Sequence, residues 1–132
     1  MKHLISAAAF ILSAIPVAAH AQSTANIDCK DPKSQVEYSF CAEKDFEKAD
    51  AELNVVYKQV KANILEGEKY GKPDQIKNLI SAEEKWIAVR DADCGLEYET
   101  WDGGTGGGAA ELQCSTEETL MRIQFLKHQF LR

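Results

Sequence analysis

Trp86, Arg90 and Cys94 recur at four-residue spacing in the segment Trp86-Ile-Ala-Val-Arg-Asp-Ala-Asp-Cys94. The segment holds no proline or glycine, and on a helical period the three residues share one stripe. Aromatic and thiol side chains are usually buried. A guanidinium set between them needs a carboxylate or carbonyl partner from another element, and Cys94 needs a cysteine. Asp50 is the expected partner of Arg90, with carbonyls near Asn54 as the other candidate, because Asp50 sits beside Ala49 and just before Leu53 on an apolar helix edge. Acid–base chemistry would need paired carboxylates. Asp45, Glu47, Asp50, Glu52, Glu83, Glu84, Asp91, Asp93, Glu97 and Glu99 are available, but such runs on helices are ordinarily solvated surface. Asp50 is the exception to that expectation.

The first 21 residues read as a secretory signal peptide. Lys2 and His3 form the basic start, Leu4 to Ala19 is mostly apolar, and Ala19-His20-Ala21 fits the small-x-small cleavage rule. Cys29 lacks a lipoprotein context, so no lipid anchor is expected, and the apolar run is short for a membrane span. Residues 22–132 form a single small domain. Cleavage takes the length from 132 to 111 residues and the formal charge from −6 to −7, since Lys2 is lost and no acid is. His3 and His20 go as well, leaving His128 as the sole histidine of the mature chain. That argues against histidine-based nucleophilic catalysis and multi-histidine metal sites. We expect neither enzyme activity nor a cofactor. An acidic chain is a poor partner for nucleic acid or anionic membrane and suits a basic protein instead.

Four cysteines, Cys29, Cys41, Cys94 and Cys114, remain after cleavage. An even count in an exported chain suggests two disulfides, with three possible pairings. The spacings contain no C-x2-C pair, which disfavours zinc.

The pattern of apolar residues predicts an all-α chain: a long antiparallel helix hairpin plus a shorter C-terminal helix, stapled by disulfides. Val36, Phe40, Phe46, Ala49, Leu53, Val56, Val60 and Ile64 give one amphipathic helix over about residues 33–66. Asp31 and Pro32 suit its start. Gly67 and Gly71 interrupt it. Pro73-Asp74 restarts a second helix, with Ile76, Leu79, Ile80, Trp86, Ile87 and Val89 inward, to about Tyr98. Two long helices with a short link should pack antiparallel. Five glycines in positions 103–108 read as a flexible loop or, with Trp101 at its base, a binding loop. Ser115-Thr-Glu-Glu118 has capping-box spacing, placing a third helix with Leu120, Ile123, Leu126 and Phe130 after it.

Together these motifs resemble the lysozyme inhibitor LprI-like family. They run in order from Cys29 and Cys41-Ala42 to Ala49-Asp50-Ala-Glu-Leu53-Asn54-x-x-Tyr57. Trp86-x-x-x-Arg90-Asp91-x-x-Cys94 follows, then the glycine-rich stretch, Cys114 and Thr119-x-x-Arg122. The resemblance spans nearly the whole mature chain. It implies a small exported helical domain, soluble in the periplasm, in which Asp50, Leu53, Asn54, Tyr57, Trp86, Arg90 and Asp91 are structural signature residues. It also implies a partner, a lysozyme-type muramidase that is bound and blocked. The other reading is a non-enzymatic envelope adapter with a different protein partner. Neither reading fixes an oligomeric state.

Two further expectations follow. The disulfides should be Cys29–Cys41, tying the lead-in to the first helix, and Cys94–Cys114, pinning both ends of the glycine loop. The partner contact should be Glu97, Glu99, Trp101, Asp102 and Glu111, which join negative charge to an exposed aromatic on a glycine-rich backbone.

Overall fold

A computed structural model of the chain describes residues 27–68 and 74–131. The expected leader and Pro73 lie outside the described residues. Three helices form the domain: α1, Gln35–Glu68; α2, Gln75–Glu99; and α3, Gly107–Phe130. No strand occurs among the described residues.

The first helix starts on a cap that the sequence reading passed over. Ser34 Oγ accepts the Glu37 N–H at 3.3 Å, and the Glu37 carboxylate accepts the Lys33 N–H at 2.6 Å. Ser34-x-x-Glu37 therefore satisfies first-turn donors in the manner of a capping box. Asp31 instead pairs with the Lys33 side chain.

Cross-links between helices give their directions. Asn63 Nδ2 donates to the Phe130 carbonyl at 3.0 Å and Lys127 pairs with Glu52 at 2.7 Å, so the later parts of α1 and α3 lie together. Arg90 meets Thr119 and Glu83 meets Arg122, so α2 runs opposite to α3. The expected antiparallel sense of α1 and α2 holds. Their direct contact is the sparsest of the three pairs, however, because α3 packs along both. The core is the layer where the helices converge: Leu53, Val56 and Val60 from α1, Leu79 from α2, and Ile123 and Leu126 from α3, edged by Tyr57, Ile64 and Trp86.

That arrangement explains which apolar residues stay outside. Only a narrow stripe of α2 is buried, namely Leu79, Glu83, Arg90 and Cys94. Ile80, Ile87 and Val89, assigned inward by periodicity, are exposed, as are Val36, Leu120 and Phe130. A helix packed on one neighbour buries a narrower stripe than a helix facing two.

Both disulfides form as expected, each with Cα atoms 5.5 Å apart. Their setting differs from expectation at the second bridge. Cys94 lies inside α2 and Cys114 inside α3, because α3 begins at Gly107 rather than after Ser115. Ser115 is a buried position within α3, so it caps nothing. Gly107 and Gly108 occupy the first helical turn at a cost of about 1 kcal/mol each. The bridge at Cys114, about two turns further on, holds the helix against that cost. No described helix is long and apolar enough to cross a membrane.

Candidate functional site

Trp86 and Arg90 of the sequence signature lie in a partly buried seam, in which Arg90 is buried and Phe125 is exposed. The Arg90 guanidinium lies 5.3 Å from the Phe46 ring centroid and 5.2 Å from that of Trp86. Arg122 lies 5.5 Å from the centroid of the same Trp86 ring and 5.3 Å from that of Phe125. Aromatic and guanidinium groups thus alternate as Phe46, Arg90, Trp86, Arg122, Phe125 across all three helices. Such contacts contribute about 0.5–2 kcal/mol each, more when desolvated.

Each arginine also has oxygen partners. Arg90, 8% exposed, donates from Nε and Nη2 to Asp91 Oδ1 at 2.9 and 2.7 Å, and from Nη1 to Thr119 Oγ1 at 3.2 Å. Arg122 donates to Glu83 Oε2 from Nε at 3.0 Å and from Nη2 at 2.7 Å. Glu83 Oε1 is buried without a hydrogen-bond partner. Tyr57, packed at the core edge, has its phenol pushed above the usual 10.0, first by burial and then by Glu83 and Glu84.

Two expectations change here. Arg90 does not pair with Asp50. Asp50 accepts two hydrogen bonds from Asn54 Nδ2, at its carbonyl (2.9 Å) and carboxylate (3.0 Å). Phe46, not Asp50, is the α1 residue that faces the guanidinium, and α3 brings Thr119 within reach. Glu83 is not solvated surface but a buried ion-pair partner. Its position at three residues before Trp86 was the available signal, since it continues the stripe of Trp86, Arg90 and Cys94. Of the other carboxylates considered for acid–base chemistry, Asp50 is half-buried against Asn54 and the rest are exposed on helix surfaces or at helix ends.

The second feature is exposed and lies where α2 turns into α3. Leu96, Tyr98 and Glu99 carbonyls accept the N–H groups of Thr100, Trp101 and Asp102, and Thr100 Oγ1 donates to the Glu97 carbonyl at 2.8 Å. The Trp101 carbonyl then accepts from Gly104 at 2.6 Å and the Gly104 carbonyl from Gly107 at 3.3 Å. Asp102 (φ 45°) and Gly103 (φ 77°) reverse the chain in the left-handed region, which aspartate and glycine tolerate. The Trp101 ring lies on Gly106, where an added Cβ would overlap it. The glycine stretch is thus a hydrogen-bonded turn followed by a helix start, and not a slack connector.

Gly106→Ala should therefore eject the Trp101 ring. The half-exposed ring can swing into solvent, so the expected loss is smaller than the about 1–3 kcal/mol of overpacking in a closed core. The Trp101 indole resonance should move while that of half-buried Trp86 stays in place. An unshifted Trp101 resonance would mean the ring does not rest on Gly106.

The proposed contact residues fall together only in part. Glu97, Glu99, Trp101 and Asp102 are exposed on the last turn of α2 and the turn beyond it, whereas Glu111 is half-buried in α3. Trp101, 48% exposed, instead shares a cavity of about 280 Å³ with Gln35 and Tyr38 from α1 and Gly106, Ala109, Ala110 and Gln113 around α3. The α1 contribution was not legible beforehand, because nothing in the sequence places the start of α1 beside residues 101–113.

Comparison with known proteins identifies a family. The family described as lysozyme inhibitor LprI matches residues 28–126. An uncharacterized protein of Rhizobium meliloti (strain 1021) is 33% identical over 106 residues, covering 76% of each chain. No solved structure matches. The matched span runs from the residue before the first disulfide through the whole aromatic–guanidinium seam, and on that basis the chain belongs to the lysozyme inhibitor LprI family.

Proposed function

We propose that the protein is exported to the periplasm by residues 1–21 and acts there by binding and blocking a lysozyme-type muramidase. In this reading it has no catalytic role, cofactor or membrane anchor of its own. The observation that carries the reading is the charge at the end of α2. Glu97 and Glu99 occupy its last turn, Asp102 follows, and the last turn holds no base. Acids at a helix C-terminus oppose the macrodipole, each at a cost of roughly 0.3–1 kcal/mol. A cationic partner surface would relieve that repulsion, and Trp101 stands exposed beside it as an anchor. Family membership supports lysozyme as the partner. The formal charge of −7 that remains once residues 1–21, with Lys2, are removed from the −6 chain favours steering toward a basic protein.

One observation favours the adapter reading. Val89 and Leu96 on α2 and Met121 and Phe125 on α3 are exposed apolar side chains, which an apolar protein partner could cover.

Cell-wall turbidity assays with the disulfide-bonded protein separate the two. We expect inhibition of at least one of the hen-type, goose-type and invertebrate-type lysozymes at micromolar concentration. Inhibition should weaken as salt screens charges beyond about 8–10 Å. If all three enzymes stay fully active, the inhibitor reading fails and the adapter reading replaces it.

A further inference from the structure

We infer, resting on the inhibitor reading above, that the cavity between Tyr38 and Trp101 receives an arginine side chain of the basic partner. Both rings are about half exposed, at 50% and 48%, and neither packs into the core. They line one cavity although they come from α1 and from the α2–α3 turn. Ala109 and Ala110 line it with small residues, leaving room for a long side chain, while Gly106 lies under the Trp101 ring itself. Gln35 and Gln113 also line it, and their amide oxygens are acceptors suited to a guanidinium fork.

Charge complementarity selects the occupant. The turn that carries Trp101 follows Glu97 and Glu99 and continues into Asp102. The nearby base Lys33 is engaged by Asp31. The first turns of α1 and α3 also contribute to the cavity, and each has a positive pole of roughly half a charge. Against those two half charges, the segment that carries Trp101 holds three full carboxylate charges, on Glu97, Glu99 and Asp102. A guanidinium is flat and weakly hydrated, so it stacks on aromatic rings at lower desolvation cost than an ammonium. The interaction surface thereby extends from the end of α2 onto α1, and Tyr38 joins Trp101 as its second aromatic contact.

A titration without lysozyme tests the cavity independently of the inhibitor reading. The probes are an end-capped tripeptide with a central arginine and a neutral chitotriose. The readout is the Trp101 indole N–H resonance, with Trp86 as the internal reference. The tripeptide should shift Trp101 saturably and less at high salt, while chitotriose should not. Tyr38→Ala should weaken tripeptide binding roughly two- to thirty-fold, the range expected for one cation–π contact. Tyr38→Phe should retain it, and an unmoved Trp86 resonance shows that each variant is folded.

An unshifted Trp101, a response to chitotriose alone, or equal binding by Tyr38→Ala overturns the proposal. So does full lysozyme inhibition by Tyr38→Ala, which would leave the inhibitor reading standing. A positive titration with no lysozyme inhibited sustains the guanidinium site and removes only the inhibitor reading.

Discussion

Arg122→Ala should lower stability by about 3–5 kcal/mol, the cost of leaving a buried ion-pair partner uncompensated. The Arg122 and Glu83 side chains are only 13% and 11% exposed, so solvent screens the pair weakly. Glu83 Oε1 already lacks a partner, and removing Arg122 would strip Oε2 of both its hydrogen bonds. The Trp86 ring would lose one of its two stacked guanidinium groups in the same step. For a domain of this size the loss corresponds to a fall in Tm of more than about 10 °C. The double variant Glu83→Leu/Arg122→Leu should recover much of it, since apolar replacement of a buried pair is often near neutral. A Tm within 2–3 °C of wild type for Arg122→Ala, about the shift of half a kcal/mol, would show that the pair is solvated.

Removing the second disulfide should have the next largest effect. Cys94 and Cys114 are 20 residues apart in sequence, and Cys94 is fully buried. Loop-closure entropy alone gives about 3 kcal/mol for a bridge of that span. The consequence here is also local. The bridge clamps α2 to α3 on either side of the turn, so its loss frees the first turn of α3 with its two glycines. Cys94→Ser/Cys114→Ser should therefore unfold at lower denaturant, and its Trp101 environment should loosen before the global transition. Coincident transitions for Trp101 and for helix content would contradict that order.

The helices and both disulfide pairs were legible because each leaves a local trace. Periodicity marks α1 through Leu53, Val56 and Val60, and the even cysteine count with each pair close in sequence, 12 and 20 residues apart, marks the bridges. The inward stripe of Trp86, Arg90 and Cys94 was legible for the same reason. What the sequence concealed was relative placement. Asp50 and Arg90 each carry the right chemistry for a pair, but α3 packs between much of α1 and α2. Arg90 consequently finds Asp91 and Thr119. Ser115-Thr-Glu-Glu118 mimics a helix start, yet the true cap at Ser34–Glu37 has the same spacing, and local pattern cannot rank the two. The glycine stretch looked flexible because composition does not record that the Trp101 ring closes over Gly106. The exposed end also needed tertiary structure, since Tyr38 and Trp101 are far apart in the chain.

The central claim is that the acidic, aromatic end formed by Glu97, Glu99, Trp101 and Asp102 meets a basic lysozyme-type partner. Equilibrium binding of an inhibited lysozyme to wild type and to Trp101→Ala/Asp102→Ala, measured across salt concentration, tests it most directly. The account predicts that wild-type affinity falls with added salt. It also predicts that the double variant binds at least about ten-fold more weakly at low salt, the equivalent of about 1.4 kcal/mol, with unchanged helicity. Equal affinity of the two proteins at every salt concentration would contradict it and move the contact elsewhere on the helices.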